Sequence, residues 1–154
     1  VARTRGVSVV RARRGFRWQG VPTLIYKPAG TGFKNIIRRV VLGNREPDLP
    51  FQVRYFEIRN GGYSSLERHA HRHAVVIIRG RGKMFLKNKV HDLKPFDAVY
   101  IGRNAVHQFH QVGREPFGFL CMVAASRDRP ELVSPGMAAR LRRRRRAAAR
   151  FIKI

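Results

Sequence analysis

Acidic residues are scarce in this chain: nine Asp and Glu stand against 33 Lys and Arg, for a formal net charge of +24. Nine carboxylates cannot neutralise that many cations from within, so the imbalance points to anionic partners. Cysteine is nearly absent as well. Cys121 stands alone, which excludes an internal disulfide framework and suits a reducing compartment. No apolar stretch reaches the ~18 residues of a membrane span, and the N-terminus carries no apolar signal segment. A soluble, cytoplasmic protein with no membrane partner is therefore expected. Amphipathic helical periodicity is missing from the middle of the chain, and no helix-turn-helix supports a DNA-binding regulator.

What is present divides by composition into a basic N-terminal arm (residues 1–21), a strand-rich middle (22–126) and a connector with an Arg-rich tail (127–154). At 154 residues and 44% hydrophobic content, one domain with a real core is expected. In the middle, PTLIYK, a GTG turn, NIIRRVVLG, the loop NREPDLP and FQVRYFEIR read as strands split by Gly, Pro and Asn. AVVIIR, GKMFLK, KVHDL, AVYI, VHQFHQV and FGFLCMVAA follow, with Asn88-Lys89 and Lys94-Pro95-Phe96-Asp97 as turns. Such a series without intervening helices argues for a barrel or sandwich.

Between residues 61 and 110 run GGYSSLERHAHRHAVVIIRGRGKMFL and then FDAVYIGRNAVHQFH. Under period-two alternation Glu67, His69, His71 and His73 share one face, with Arg68, Ala70 and Arg72 on the other. A His-rich strand can be no more than a solvated polar face. Here, however, the apolar run 74–78 and the Gly80-Arg81-Gly82 turn follow at once, so the face leads into a buried strand. Neutral imidazole is a common metal ligand, and a metal site is the sharper reading. Residues 67 and 73 would lie about 20 Å apart in a straight strand, so the chain must bend near Ala70 and His71 for both to reach one ion. On VHQFHQV, His107 and Phe109 share a face while His110 lies opposite, which leaves His110 and His91 as weak candidates. Cys121, inside an apolar run, reads as a buried and inert thiol.

Paired glycines, alternate histidines, a β-branched strand ending at Gly80, a hairpin, and Phe96-Asp97 before an apolar strand and His107 together resemble the two motifs of the cupins. The resemblance covers roughly residues 22–125. It implies an all-β fold, an antiparallel cupin-type β-barrel (double-stranded β-helix), here with a basic N-terminal arm and a C-terminal Arg-rich helix. Anchored on Gly80, it implies Glu67, His69, His73 and His107 as ligands of a single divalent transition metal, with His71 as the alternate. Glu67 stands where the family usually has its first histidine. The other register, which pairs His69 with His71, leaves Val75 and Val76 at the third-ligand position. Ligand type alone does not choose among Fe, Mn, Ni, Cu and Zn. By the same resemblance Asp97 is a turn residue that caps backbone amides.

The flanks carry the excess charge. Residues 1–20 hold six arginines and residues 137–154 seven arginines with Lys153, neither with an acid. Phe16 and Trp18 sit among the arm's arginines, either to stack on bases or to pack on the barrel. Ser134-Pro135 reads as a helix start. Five consecutive arginines, at about 100° per residue, surround a helix completely, leaving no face to pack and a tail that frays on its own. Deleting residues 137–154 is accordingly expected to leave the barrel folded.

These features lead to the expectation of an RNA-binding, ribosome-associated or ribosomal protein on a cupin barrel. It would anchor to rRNA phosphates in a ribonucleoprotein through Arg11, Arg13, Arg14 and Arg17, and through Arg142, Arg143, Arg144, Arg145, Arg146 and Arg150. The alternative is a metal-dependent cupin enzyme, a dioxygenase or isomerase that takes a small organic acid as its barrel ligand.

Overall fold

A computed structural model of the chain describes residue 6, residues 8–27 and residues 32–154. Arg3 and Arg5 of the arm, and Gly30 and Thr31 of the expected turn, lie outside the described residues. The strands in chain order are β1 (Ala12–Arg13), β2 (Arg17–Trp18), β3 (Leu24–Ile25), β4 (Lys34–Leu42), β5 (Phe51–Tyr63), β6 (Glu67–Arg68) and β7 (His73–Arg79). They continue with β8 (Arg81–Leu86), β9 (Lys89–Leu93), β10 (Ala98–Ile101), β11 (His107–Val112), β12 (Phe117–Ala124) and β13 (Glu131–Leu132). A helix α1 (Pro135–Arg144) and a 3-10 turn (Arg146–Phe151) close the chain.

The pairings are antiparallel and form one curled sheet beside the small β1–β2 hairpin. One flank of the curl runs β3-β4-β5-β12-β7-β10, the other β9-β8-β11-β6-β13, and the end of β5 bridges them where Tyr63 pairs with His110. This is the expected antiparallel cupin barrel. Turn chemistry sets its corners. Lys87 and Asn88 both take positive φ, 44° and 70°, and close the β8–β9 hairpin one residue earlier than the sequence pattern suggests. Asp97 accepts from the Lys94 amide at 2.9 Å, the capping role expected of it.

Alternation decides which side chains enter the barrel. From β5, Arg54, Phe56 and Ile58 face inward, and from β12, Phe119, Cys121 and Val123 do so beside them. With Val75, Ile77, Met84 and Phe109 they make the main core. Tyr55 and Glu57 face outward yet are buried, because the β1–β2 hairpin lies over them: Phe16 stacks on Tyr55 at 6.0 Å and Trp18 meets it at 5.2 Å. The arm's aromatics are therefore packed on the barrel.

The tail also packs, contrary to the expectation that no face remains. Ser134 caps α1 by accepting from the Met137 amide at 3.2 Å, and Pro135 opens the helix. The helix stops at Arg144, Arg145 leaves helical geometry, and the 3-10 turn starts a new phase. Ala138, Ala148 and Ile152 thereby reach Leu66, Phe85 and Val133 on the outside of the second flank, forming a second apolar core. Arg142 points back and donates Nε and NH2 to the Ile152 carbonyl at 2.9 and 2.6 Å.

Candidate metal centre and its cavity

The histidines come together because the chain bends where the ligand spacing requires it. β6 ends at Arg68, residues 70 and 71 form a bend, and β7 restarts at His73. Asp128, from the loop after β12, fastens this bend. Its Oδ2 accepts from the Ala70 amide at 2.8 Å, and its Oδ1 accepts from the His71 amide at 2.8 Å and from His71 Nδ1 at 2.7 Å. The Asn104 amide holds the His69 carbonyl at 2.8 Å. His107 arrives from β11, directly opposite Glu67 on β6.

Ligand atoms of His69, His73 and His107 lie within 4.8 Å of one another, and all three residues are buried. The hydrogen-bond network fixes the tautomers. His69 Nδ1–H donates to the His71 carbonyl at 2.8 Å and His107 Nδ1–H to the Ala105 carbonyl at 2.8 Å, so both present bare Nε2 lone pairs. His69 Nε2 is buried with no hydrogen-bond partner, an orphan that a cation would satisfy. His71 gives its Nδ1 proton to Asp128, so its Nε2 accepts from His73 Nε2 at 2.7 Å. Glu67, the remaining expected ligand, pairs with Lys27 Nζ at 2.6 Å. The cluster is compatible with a bound metal ion, and its donor set fits one.

Electrostatics keep His71, His73 and His107 neutral. Burial, then the neighbouring His69 and His107, drive the His73 pKa far down, and burial pushes His107 to about 4. His71 is lowered by burial even though Asp128 opposes the shift. The Ala70 amide, with the His71 contacts, holds Asp128 well below the usual carboxylate range. Neutral imidazole is the form that binds metals.

His71, His73 and His107 line a cavity of about 760 Å³ whose wall also carries Lys27, Arg38, Arg54, Cys121 and Arg127. Cys121 Sγ accepts from Arg54 NH2 at 3.3 Å and lies 3.5 Å from His73 Nδ1. Burial raises its pKa, keeping it a thiol. A second hollow of about 440 Å³ lies on the outer face beside Arg39 and Glu57, and none of the histidines lines it. His110 points away from the main cavity but is covered, donating to the Phe151 carbonyl at 2.9 Å, while His91 is exposed. Sequence patterning passed over Lys27, Arg38, Arg54, Arg127 and Asp128. The available signal was the inward register of Arg54 and Arg38, which requires knowing the faces of β5 and β4.

A curled antiparallel barrel with a histidine cluster at its mouth defines a cupin. The Cupin domain family matches residues 54–123. A Rhodospirillum rubrum protein named 1-methylthio-D-xylulose 5-phosphate methylsulfurylase is 41% identical over 128 residues, covering 82% of this chain and 81% of that protein. This chain belongs to the cupin family. Its fold is shared by a cupin 2 conserved barrel domain protein from Rhodopseudomonas palustris, with TM-score 0.87 and 38% identity over 96% of this chain and 100% of that one. A cupin-2 domain protein from Rhodospirillum rubrum follows, with TM-score 0.80 and 40% identity over 92% and 95%.

These relatives correct the RNA reading. A protein similar across most of the chain carries an enzyme's name, so a ribosomal or ribonucleoprotein role with rRNA as partner does not stand. The physical reason lies in where the cations and aromatics go. Phe16 and Trp18 pack on Tyr55 instead of offering a stacking platform, and Arg142 is tied to the chain end. Arg11, Arg13, Arg14, Arg17, Arg143, Arg144, Arg145, Arg146 and Arg150 are exposed on the two flanks, and charge alone carries no RNA assignment. Among the described residues, no helix is long and apolar enough to cross a membrane.

Proposed function

We propose that this chain is a metal-dependent cupin enzyme acting on a small phosphorylated substrate, in the reaction class named for its Rhodospirillum rubrum relative. The observation that carries the reading is the pair of bare Nε2 lone pairs on His69 and His107, with His73 beside them, and His73 and His107 at the wall of a 760 Å³ cavity. His69, His73 and His107 hold the ion, with Glu67 as the fourth ligand once it exchanges Lys27 for the metal. A bound divalent ion supplies Lewis-acid polarisation of a substrate oxygen. The chain's own residues do the rest. Asp128 and the carbonyls of His71 and Ala105 orient the imidazoles, and Phe109 and Phe119 line the cavity with apolar surface. Cys121 places a thiol between the histidines and Arg54. A free, unpaired cysteine suits the cytoplasm.

The test is metal analysis of the purified chain after loading with Mn, Fe, Ni, Cu or Zn, together with turnover of 1-methylthio-D-xylulose 5-phosphate. One equivalent of metal, lost in the double variant His69→Ala/His107→Ala, and metal-dependent consumption of the substrate are expected. A chain that holds no metal under any loading and leaves the substrate intact overturns the proposal.

A further inference from the structure

One wall of the cavity is built from arginines that the histidine site does not use. Strand alternation turns Arg38 of β4 and Arg54 of β5 inward, and Arg127 joins them from the loop after β12. Arg54 is only 8% exposed, its guanidinium lies 5.1 Å from the centre of the Phe56 ring, and its Nε has no hydrogen-bond partner. Arg38 Nε is likewise buried and unpartnered. Arg127 gives NH1 to the Ala124 carbonyl at 3.2 Å. Among the described residues Lys27, Arg59, Arg68, Arg79 and Lys83 form ion pairs with carboxylates, and none of these three arginines does. The two carboxylates on the cavity, Glu67 and Asp128, are taken by Lys27 and by the His71 bend.

Three like charges gathered on one cavity wall without a counterion, Arg54 buried and Arg38 and Arg127 half-buried, are costly. Burial and the charge of Arg54 lower the pKa of Arg38, and burial, Arg54 and Arg38 do the same to Arg127. Such a cluster is stable in a working protein when a ligand brings the negative charge. We propose that Arg38, Arg54 and Arg127 form the subsite for the phosphate monoester of the substrate. Guanidinium forks grip phosphate oxygens bidentately, and a dianion offsets more of the cluster's charge than a carboxylate does. The placement suits a small substrate: Cys121 Sγ touches Arg54 on one side and His73 on the other, so a phosphate on the arginines leaves the rest of the molecule against the imidazoles. The assignment of the phosphate to the substrate rests on the enzyme reading proposed above.

The experiment is calorimetric titration of the full chain with inorganic phosphate, xylulose 5-phosphate and xylulose, with metal content measured in parallel. Inorganic phosphate and xylulose 5-phosphate should compete for one site, and xylulose should bind at least tenfold more weakly. Arg38→Gln and Arg127→Gln should each weaken phosphate binding about tenfold without changing metal content. The exposed Glu131→Gln serves as the control, and Arg127, half-buried on a loop, tolerates replacement even if Arg38 does not. Unchanged phosphate affinity in folded Arg127→Gln, or equal binding of xylulose and its phosphate, overturns the subsite. If the chain holds metal and turns over the methylthio sugar phosphate while both arginine variants keep the wild-type KM, the subsite fails and the enzyme reading stands. If phosphate binds through the arginines but the chain neither holds metal nor turns over substrate, the enzyme reading fails, and with it the substrate assignment.

Discussion

Asp128 clasps His71 by both its main chain and its ring, at 2.8 and 2.7 Å, and through the adjacent Ala70 amide it pins the bend that separates β6 from β7. This contact, made across the barrel mouth, is what lets residues on both sides of the bend face the same cavity.

Removing the clasp should therefore do more harm than removing the ring it holds. His69 is oriented by the main-chain carbonyl of His71, which an alanine at 71 retains. Asp128→Ala is expected to lower metal affinity about 10- to 100-fold, as loss of an orienting contact does elsewhere, and His71→Ala by clearly less. Competition against a chromogenic chelator measures both. A larger loss in His71→Ala would make its ring a ligand.

A second expectation concerns the tail. Fully buried Gln108 donates to the carbonyls of Ser64 and Lys153 at 2.7 and 3.0 Å and accepts from the Lys153 amide at 2.8 Å. Gln108→Ala leaves these groups unpaired, at a cost of about 2–4 kcal/mol. Deleting residues 145–154 should cost more, since it also uncovers Leu66 and Phe85. Urea denaturation with tryptophan fluorescence follows both. A truncated chain as stable as the intact one would mean that the second core contributes nothing.

Gly80, which ends β7, has φ +63°, and a Cβ there would stand 2.2 Å from the Pro116 carbonyl oxygen. Backbone cannot yield as a side-chain tip can. Gly80→Ala is expected to destabilise the barrel by about 2 kcal/mol or more, read as a fall in melting temperature. An unchanged melting temperature would show that the β7–β8 corner shifts freely.

Much of this was legible in the sequence, and the reasons differ by region. Strand alternation and Gly, Pro and Asn turns exposed the barrel because both signals are local. The histidine face and its bend were visible for the same reason, since the residues from Glu67 to His73 belong to one short run. Arg54 was not, because FQVRYFEIR is buried on both faces and only its neighbours β4 and β12 say which face is the cavity. Asp128 lay in what read as a connector, and its role depends on a contact with residues 70 and 71 far back in the chain. The tail's helical-wheel argument assumed one continuous helix. The break at Arg145 resets the phase and gathers Ala138, Ala148 and Ile152 onto a common side.

The last expectation is acid lability with a defined window. Burial pushes both His107 and His110 down to about 4 in the folded chain, against an ordinary value of 6.5. Between those limits the unfolded chain binds protons that the folded one refuses, so stability rises with pH across the window and is lost as pH falls from 6.5 towards 4. Each histidine accounts for about 1.4 kcal/mol per pH unit there. His110 can be isolated because it lies outside the histidine cluster, its Nε2 donating to the Phe151 carbonyl. His110→Gln retains a donor but does not titrate. Its stability, measured by urea denaturation in EDTA at pH 7.5, 6 and 5, should fall with acid less steeply than that of the wild type, by one histidine's share of about 1.4 kcal/mol per pH unit, the slope that remains belonging to His71, His73 and His107. Equal slopes would mean that His110 is protonated in the folded protein and that the Phe151 contact holds a charged ring.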